Sequence, residues 1–188
     1  AEMYPVPPKP ETQGATEQII GNWIAERGGR DKLFIASKIA GPSQGGSHIR
    51  DGNTRFNKSD IESALDGNLK RLQTDYIDLL LIHQPAGNYI AGYKQMEKAY
   101  KEGKVRAIGL SNFNEEQICE ILNICEVKPS VLQTEVHPYY QEKELKKFLF
   151  HEDIKIQAWY PLGHGDNALL NEPLFKSLAE KHGKSTAQ

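Results

Sequence analysis

The side chains able to do chemistry in this sequence are a tyrosine in the first loop and a set of polar residues placed where apolar runs stop. They are Tyr4, Lys38, His83, Ser111, Asn112, Gln133 and Trp159. Tyr, Lys and His together suit proton transfer to a carbonyl oxygen. A tyrosine hydroxyl has an unperturbed pKa of ~10, too high for a ready acid at neutral pH. A neighbouring ammonium stabilises the phenolate and lowers that value, and an imidazole can orient the carbonyl or share the proton. The same residues admit a plain structural account: a loop Tyr, a surface Lys and a capped His. Residue types alone leave both accounts standing.

The elements that must position these groups decide more. In DYIDLLLIHQP, residues 75–85, Ile77 and Leu79 to Ile82 form an apolar run too short for a free-standing helix. It fits a strand buried on both faces, as in a parallel sheet covered by helices. Its polar end, His83-Gln84-Pro85, falls where ligands bind in parallel α/β architectures. Strand-like runs at 33–39, 105–110, 131–136 and 154–159 end in the same way, and helical patterns lie between them. Residues 16–27 place Ile19, Ile20, Trp23 and Ile24 on one helical stripe, stopped by Gly28 and Gly29. Ser59 and Glu62 predict a capping box for a helix striped by Ile61, Leu65, Leu69 and Leu72. Tyr93, Met96 and Tyr100 mark a helix closed by Gly103. Asn114 and Gln117 cap one with Ile118, Ile121, Leu122 and Cys125 inward. Leu145, Phe148 and Leu149 stripe another, and Asn171 and Pro173 open a last helix that Gly183 stops. Pro5, Pro7, Pro8 and Pro10 make the start an extended loop, and residues 41–57 form a Gly, Ser and Asn-rich loop long enough to suggest function. Alternating strand and helix predict an α/β fold with a parallel sheet.

The totals narrow the classes. Across 188 residues, 38% hydrophobic and 26% charged side chains predict a soluble globular domain. A net charge of −2 leaves no basic footprint for nucleic acid or anionic membrane. No apolar stretch approaches the ~20 residues of a membrane span. The two cysteines, Cys119 and Cys125, have no metal-like spacing and read as reduced, part-buried thiols. A cytoplasmic protein without a metal site is the expectation.

The segments AEMYP, IASK, DYIDLLLIHQP, GKVRAIGLSNF, LQTEVHP and AWYPLG together resemble the aldo-keto reductases, in family order and over essentially the whole chain. The resemblance implies a (β/α)8 TIM barrel, present here as a partial barrel of about five parallel strands lacking the first two strands and the last. It implies Tyr4 as general acid, Lys38 as the group that lowers its pKa, and His83 as the residue orienting the substrate carbonyl. Ser111, Asn112 and Gln133 would hold the nicotinamide carboxamide of NADPH. Trp159 would stack on its ring, and backbone near Tyr160, Leu162 and Gly163 would meet the pyrophosphate. The implied chemistry is hydride transfer to a small aldehyde or ketone. The family's catalytic Asp, five positions before the Tyr, and its 2′-phosphate grip would fall outside residues 1–188, so a weakly active or inactive segment is expected. Residues 1–82 are similar to the longer-looped, channel-β-subunit-like branch, and those from His83 onward to the diketogluconate-reductase branch. A non-catalytic cofactor-binding scaffold with the same fold, and a self-contained five-stranded domain, are the alternatives.

Overall fold

Strand β2, Leu79–Ile82, is buried at every position, as a central strand covered on both faces must be. The computed structural model describes residues 2–42, 48–52 and 55–188. Five strands follow one another in chain order: β1 (Ala36–Ile39), β2, β3 (Ile108–Ser111), β4 (Val131–Glu135) and β5 (Lys155–Trp159). All are shorter than the apolar patterns around them, because only the central residues complete the ladder. The chain divides inside β4 into two compact units, residues 1–132 and 133–188.

In the first unit β1 and β2 pair in parallel, Lys38 opposite Leu81, and β2 pairs in parallel with β3, Leu81 opposite Gly109. Paired residues of parallel neighbours point to the same side, and so do residues two apart along a strand. Lys38, Leu81 and Gly109 therefore share one face, with His83 and Ser111 two residues further on. A Cβ on Gly109 would lie 2.5 Å from the Val131 carbonyl oxygen and 2.7 Å from Leu81 Cδ2, so that layer closes only with glycine there.

The helices α1 (Ala15–Arg27), α2 (Lys58–Leu72), α3 (Tyr89–Lys101) and α4 (Glu115–Leu122) belong to this unit. On the helix side of β1, Ser37 Oγ donates to Glu17 Oε1 at 2.5 Å and Asn68 Nδ2 donates to Ser37 at 3.1 Å. Arg71 Nε donates to Glu17 Oε2 at 2.9 Å. Burial pushes the Glu17 carboxyl up, but the Ser37 hydroxyl and the Arg71 guanidinium help hold it below the ordinary carboxylate value. At the entry of β2, Asp78 accepts from Arg30 at 2.8 Å, from Arg106 at 3.2 Å and from the Ile35 N–H at 2.9 Å. The two guanidinium groups also lie 3.9 and 3.8 Å from the Tyr76 ring centroid.

Two helix expectations in this unit are corrected. On α1 the buried positions are Glu17, Gly21 and Ile24, while Ile19, Ile20 and Trp23 are exposed. The reason is close backbone approach: a Cβ on Gly21 would meet the Arg71 carbonyl oxygen at 2.1 Å. For α2 the cap is Asn57, whose side chain accepts from the Asp60 N–H at 2.8 Å, and Ser59 lies inside the first turn. Glu62 instead faces Lys58 and Lys98, at 3.8 and 3.3 Å. The capping box of Asn114 and Gln117 on α4 is present as read, with Ile118 and Ile121 buried; Leu122 and Cys125 are half-buried. Both cysteines are free and half-buried.

Of the long loop at 41–57, residues 43–47 and 53–54 lie outside the described residues. Its described part is anchored by Ile49 and Phe56, both buried, with the Phe56 ring against Gly41 and Gly92.

In the second unit the remainder of β4 runs beside β5, the Val136 N–H donating to the Trp159 carbonyl at 3.4 Å. Helix α5 (Lys143–His151) buries Leu149, and a short helix α6 (Asn167–Leu170), which no periodicity announced, buries Leu169. Asn171 closes α6, its Nδ2 donating to the Asn167 carbonyl, and does not open the next helix. Helix α7 (Pro173–His182) starts at its proline, ends at Gly183 with φ 60°, and buries no residue.

Candidate active site

The β1–β2 register carries Lys38 and His83 to one strand end, where the His83 N–H donates to the Ile39 carbonyl at 3.2 Å. The first loop brings Tyr4 over them. The Tyr4 and His83 rings stack with centroids 6.0 Å apart and planes 29° apart. Lys38 Nζ lies 5.9 Å from the Tyr4 ring centroid. Burial pushes the Lys38 ammonium below its usual value. Burial first, and the Lys38 charge second, push the His83 imidazole down to about 4. His83 is therefore neutral at physiological pH, a ring able to donate one N–H while Lys38 supplies the positive charge beside the phenol.

Ser111, at the end of β3, is buried, and Asn112 follows it in left-handed backbone with φ 62°. Asn112 Nδ2 donates to Ser111 Oγ at 3.2 Å and to the His83 carbonyl at 3.3 Å. Asparagine tolerates this conformation better than most residues. The first unit thus unites Tyr4, Lys38, His83, Ser111 and Asn112 around adjoining strand ends.

The same loop shows a pairing that the sequence did not announce. Glu2 is buried and its carboxylate takes both ends of the Arg50 guanidinium, each at 2.8 Å. The residues are separated by 48 positions, and no periodicity or motif links them.

The second unit holds the other site residues. Gln133 Nε2 donates to Gln157 Oε1 at 2.9 Å, while Gln133 Oε1 is buried without a hydrogen-bond partner among the described residues. Trp159 is half-buried, its ring edge-on to Tyr160 at 4.6 Å and to His164 at 6.1 Å. Tyr160 takes left-handed backbone, and the Gly163 N–H donates back to the Tyr160 carbonyl at 2.8 Å. Leu162 is exposed and Gly163 is buried, with Leu169 Cδ2 2.8 Å from where a Cβ would stand. Tyr160, Pro161, Leu162, His164 and Gly165 line a cavity of about 400 Å³.

The remaining histidines divide. His137 faces Glu135 at 3.3 Å and accepts from the Tyr139 N–H at 3.3 Å, a structural strand-end arrangement. His151, His164 and His182 are exposed, as loop and helix-end residues. His48 has a buried Nε2, and Ile49 beside it anchors its loop in the core. Tyr139 and Tyr140 are exposed, and the Tyr139 hydroxyl donates to Glu172 at 2.7 Å. Among the described residues no group of three or more His, Cys, Asp or Glu could hold a metal ion, and no helix is long and apolar enough to cross a membrane.

Comparison with known proteins adds an independent finding. The model of the Aldo/keto reductase family matches residues 1–188. The chain is 40% identical over 174 residues to glyoxal reductase of Bacillus subtilis, covering 92% of this chain and 58% of that protein. It is 35% identical over 177 residues to 9,11-endoperoxide prostaglandin H2 reductase of Trypanosoma cruzi, covering 93% and 58%. Among solved structures, an aldo-keto reductase from a Medee basin deep-sea metagenome library superposes with TM-score 0.81 at 31% identity, covering 92% of this chain and 60% of that one. An aldo/keto reductase from Brucella melitensis gives TM-score 0.77 at 34% identity, covering 91% and 62%. The chain therefore spans about three fifths of the length of the relatives it matches. Its parallel strands and helices make an α/β fold that fits part of a (β/α)8 barrel. The chain belongs to the aldo/keto reductase family.

Proposed function

We propose that this chain forms most of the reacting part of an NADPH-dependent oxidoreductase that reduces small aldehydes or ketones to alcohols, with Tyr4 as general acid. The observation that carries the reading is the convergence of a phenol, an ammonium and a neutral imidazole from three separate stretches, with Lys38 Nζ 5.9 Å and the His83 ring 6.0 Å from the Tyr4 ring. NADPH, when bound, supplies the hydride that the carbonyl carbon receives. Tyr4 gives its hydroxyl proton to the carbonyl oxygen, so the C=O bond becomes an alcohol and the phenol becomes a phenolate. Lys38 stabilises that phenolate, and His83, neutral because it is buried, directs the carbonyl oxygen toward the phenol through its N–H.

The residues present fit the nicotinamide end of the cofactor. Gln133 Oε1 is a buried acceptor with no partner among the described residues, the complement of a carboxamide NH2 donor. Ser111 and Asn112 in the first unit, and Gln133, Trp159, Tyr160, Leu162 and Gly163 in the second, are assigned to cofactor binding. Residues 1–188 are read as a partial barrel domain, acting in the cytoplasm, with neither nucleic acid nor membrane as partner.

Tyr4→Phe in the protein carrying this chain tests the reading. Aldehyde reduction should fall by ~10²–10⁴-fold, the usual contribution of a general acid, with NADPH affinity nearly unchanged. Unchanged turnover would remove Tyr4 from the role.

A further inference from the structure

The loop that carries Tyr4 is clamped by a buried ion pair that proton transfer does not itself use. Glu2 is 3% exposed. Its Oε1 accepts from the Ala40 N–H at 3.1 Å and from Arg50 at 2.8 Å, and its Oε2 accepts from Arg50 at 2.8 Å. Arg50 also donates to the Ala40 carbonyl at 3.3 Å. The Glu2 carbonyl in turn accepts from the Gly14 N–H at 2.9 Å. Ala40 lies two residues beyond Lys38, and Glu2 two residues before Tyr4. One carboxylate therefore connects the backbone that bears the phenol to the backbone that bears the ammonium. Arg50 sits in left-handed backbone with φ 49°, a conformation such a side chain seldom adopts, so its fork has been brought to the carboxylate at a local cost.

We infer that Glu2 and Arg50 are positioning residues for the reaction, fixing Tyr4 against Lys38 and His83 through the Ala40 backbone. The inference rests on Tyr4 being the general acid. A bidentate guanidinium–carboxylate pair holds direction as well as distance, which a single ammonium cannot do. Loss of either partner leaves the other charge buried and unpaired, so the loop must move to hydrate it. The phenol then drifts from the ammonium that favours its ionised form. Misplacement by about 1 Å is enough to cost on the order of 10²-fold in rate.

Among the described residues, the charged and titratable groups around Tyr4 in this arrangement include Glu2 on its own loop, Lys38 at the end of β1, His83 after β2, and Arg50 in the long loop. They allow a test that separates positioning from a charge effect through space. Glu2→Gln removes a negative charge and Arg50→Met removes a positive one. A through-space effect would shift the Tyr4 titration in opposite directions in the two variants. Positioning predicts the same direction, upward, because both variants loosen the contact with Lys38.

The experiment follows Tyr4 by ¹³C NMR in the full-length protein with Cζ-labelled tyrosine, in wild type, Glu2→Gln, Arg50→Met and the double variant. Aldehyde reduction is measured in parallel on the same proteins. The expected result is an upward shift in both single variants, with kcat lowered more than KM is raised. The double variant should be no worse than the worse single one, since the pair acts as a unit. Arg50→Lys should recover part of the shift. Opposite shifts, or no shift in variants that keep the wild-type circular dichroism and melting cooperativity, would overturn the inference. If Arg50→Met fails to fold, the sign in Glu2→Gln decides alone; if Glu2→Gln fails, Arg50→Lys decides, since it keeps the charge and a through-space effect predicts no shift there while positioning predicts a residual upward one. Tyr4→Phe is the control that keeps the two readings apart. Full turnover by that variant removes the acid assignment itself. Lost turnover there, with unshifted Tyr4 titration in the Glu2 and Arg50 variants, removes only the positioning claim.

Discussion

Residues 1–132 and residues 133–188 carry the same kind of elements but bury them differently. In the first unit β2 is inaccessible along its whole length, and Ile39, Leu80, Leu81, Ile82, Tyr93, Met96, Ile108, Ile118 and Ile121 have 0% exposure. In the second, Leu149, Ile154 and Leu169 are the buried hydrophobic residues among those described. Strand β5 has no buried position and α7 buries nothing. The groups assigned to proton transfer all sit in the well-packed unit, while Trp159 and the 160–163 turn sit in the other. Groups that must hold a geometry to within a fraction of an ångström stand on the elements with packed neighbours.

The comparison breaks most readily at Asp78. This carboxylate is buried against Arg30, and Arg106 reaches it from a 57% exposed position. Asp78→Asn should cost about 3 kcal/mol, the low end for breaking a buried pair, since Arg106 keeps much of its hydration. Urea unfolding measures it; a midpoint within error of wild type would show that the cluster is ornamental.

A matched pair of truncations sharpens the contrast. Leu81→Ala in β2 should lose about 2–5 kcal/mol, a cavity in a core that cannot collapse. Leu178→Ala on α7, where the side chain is 45% exposed, should change stability by no more than about 0.5 kcal/mol. Equal losses at both positions would mean that α7 is covered by something that shields Leu178.

Trp159→Ala should weaken NADPH binding by roughly tenfold, about the value of one aromatic stacking contact, with little change in melting temperature. Loss of thermal stability with unaltered cofactor affinity would make Trp159 a core residue instead.

Stability should also depend on pH. The His83 folded value lies near 4, below the ~6.5 of a free imidazole, so between those values the unfolded chain binds more protons. His83 therefore adds no penalty above pH ~6.5, and stability declines as pH falls from there toward 4. Glu17 and Asp78 have folded values held below the ordinary carboxylate range, so their contribution is complete above the unfolded carboxylate value and is lost only at more acid pH. Denaturant midpoints measured from pH 7 to 3 should show the His83 decline first and the carboxylate loss after it. His83→Asn should remove the first and leave the second.

Much of this was legible in the sequence where one local rule decides the outcome. The apolar run before His83 had to be a strand buried on both faces, and Asn114 with Gln117 had to close a helix start, because each involves residues a few positions apart. Other features depend on partners far along the chain. The stripe on α1 misled because its buried face is built from Glu17 and Gly21, a charge satisfied by Ser37 and Arg71 and a glycine set against the α2 backbone. The α2 start misled because Asn57, two residues earlier than Ser59, offers the same capping chemistry and captures the Asp60 N–H. Tyr4, Lys38 and His83 could be singled out by type, but the β1–β2 register was needed to bring Lys38 and His83 to one strand end and the folded first loop to lay Tyr4 over them. The Glu2–Arg50 pair had no signal at all, since neither periodicity nor spacing joins residues 48 positions apart.

The central claim is that Lys38 makes Tyr4 a usable acid, and titration of the Tyr4 phenol tests it most directly. Cζ-labelled tyrosine followed by ¹³C NMR gives the midpoint in wild type and in Lys38→Met, a substitution that keeps the length of the side chain and removes its charge. The account predicts a wild-type midpoint below the ~10 of a free tyrosine and a rise of a unit or more, roughly, when the ammonium is gone. The same midpoint in both proteins would contradict it.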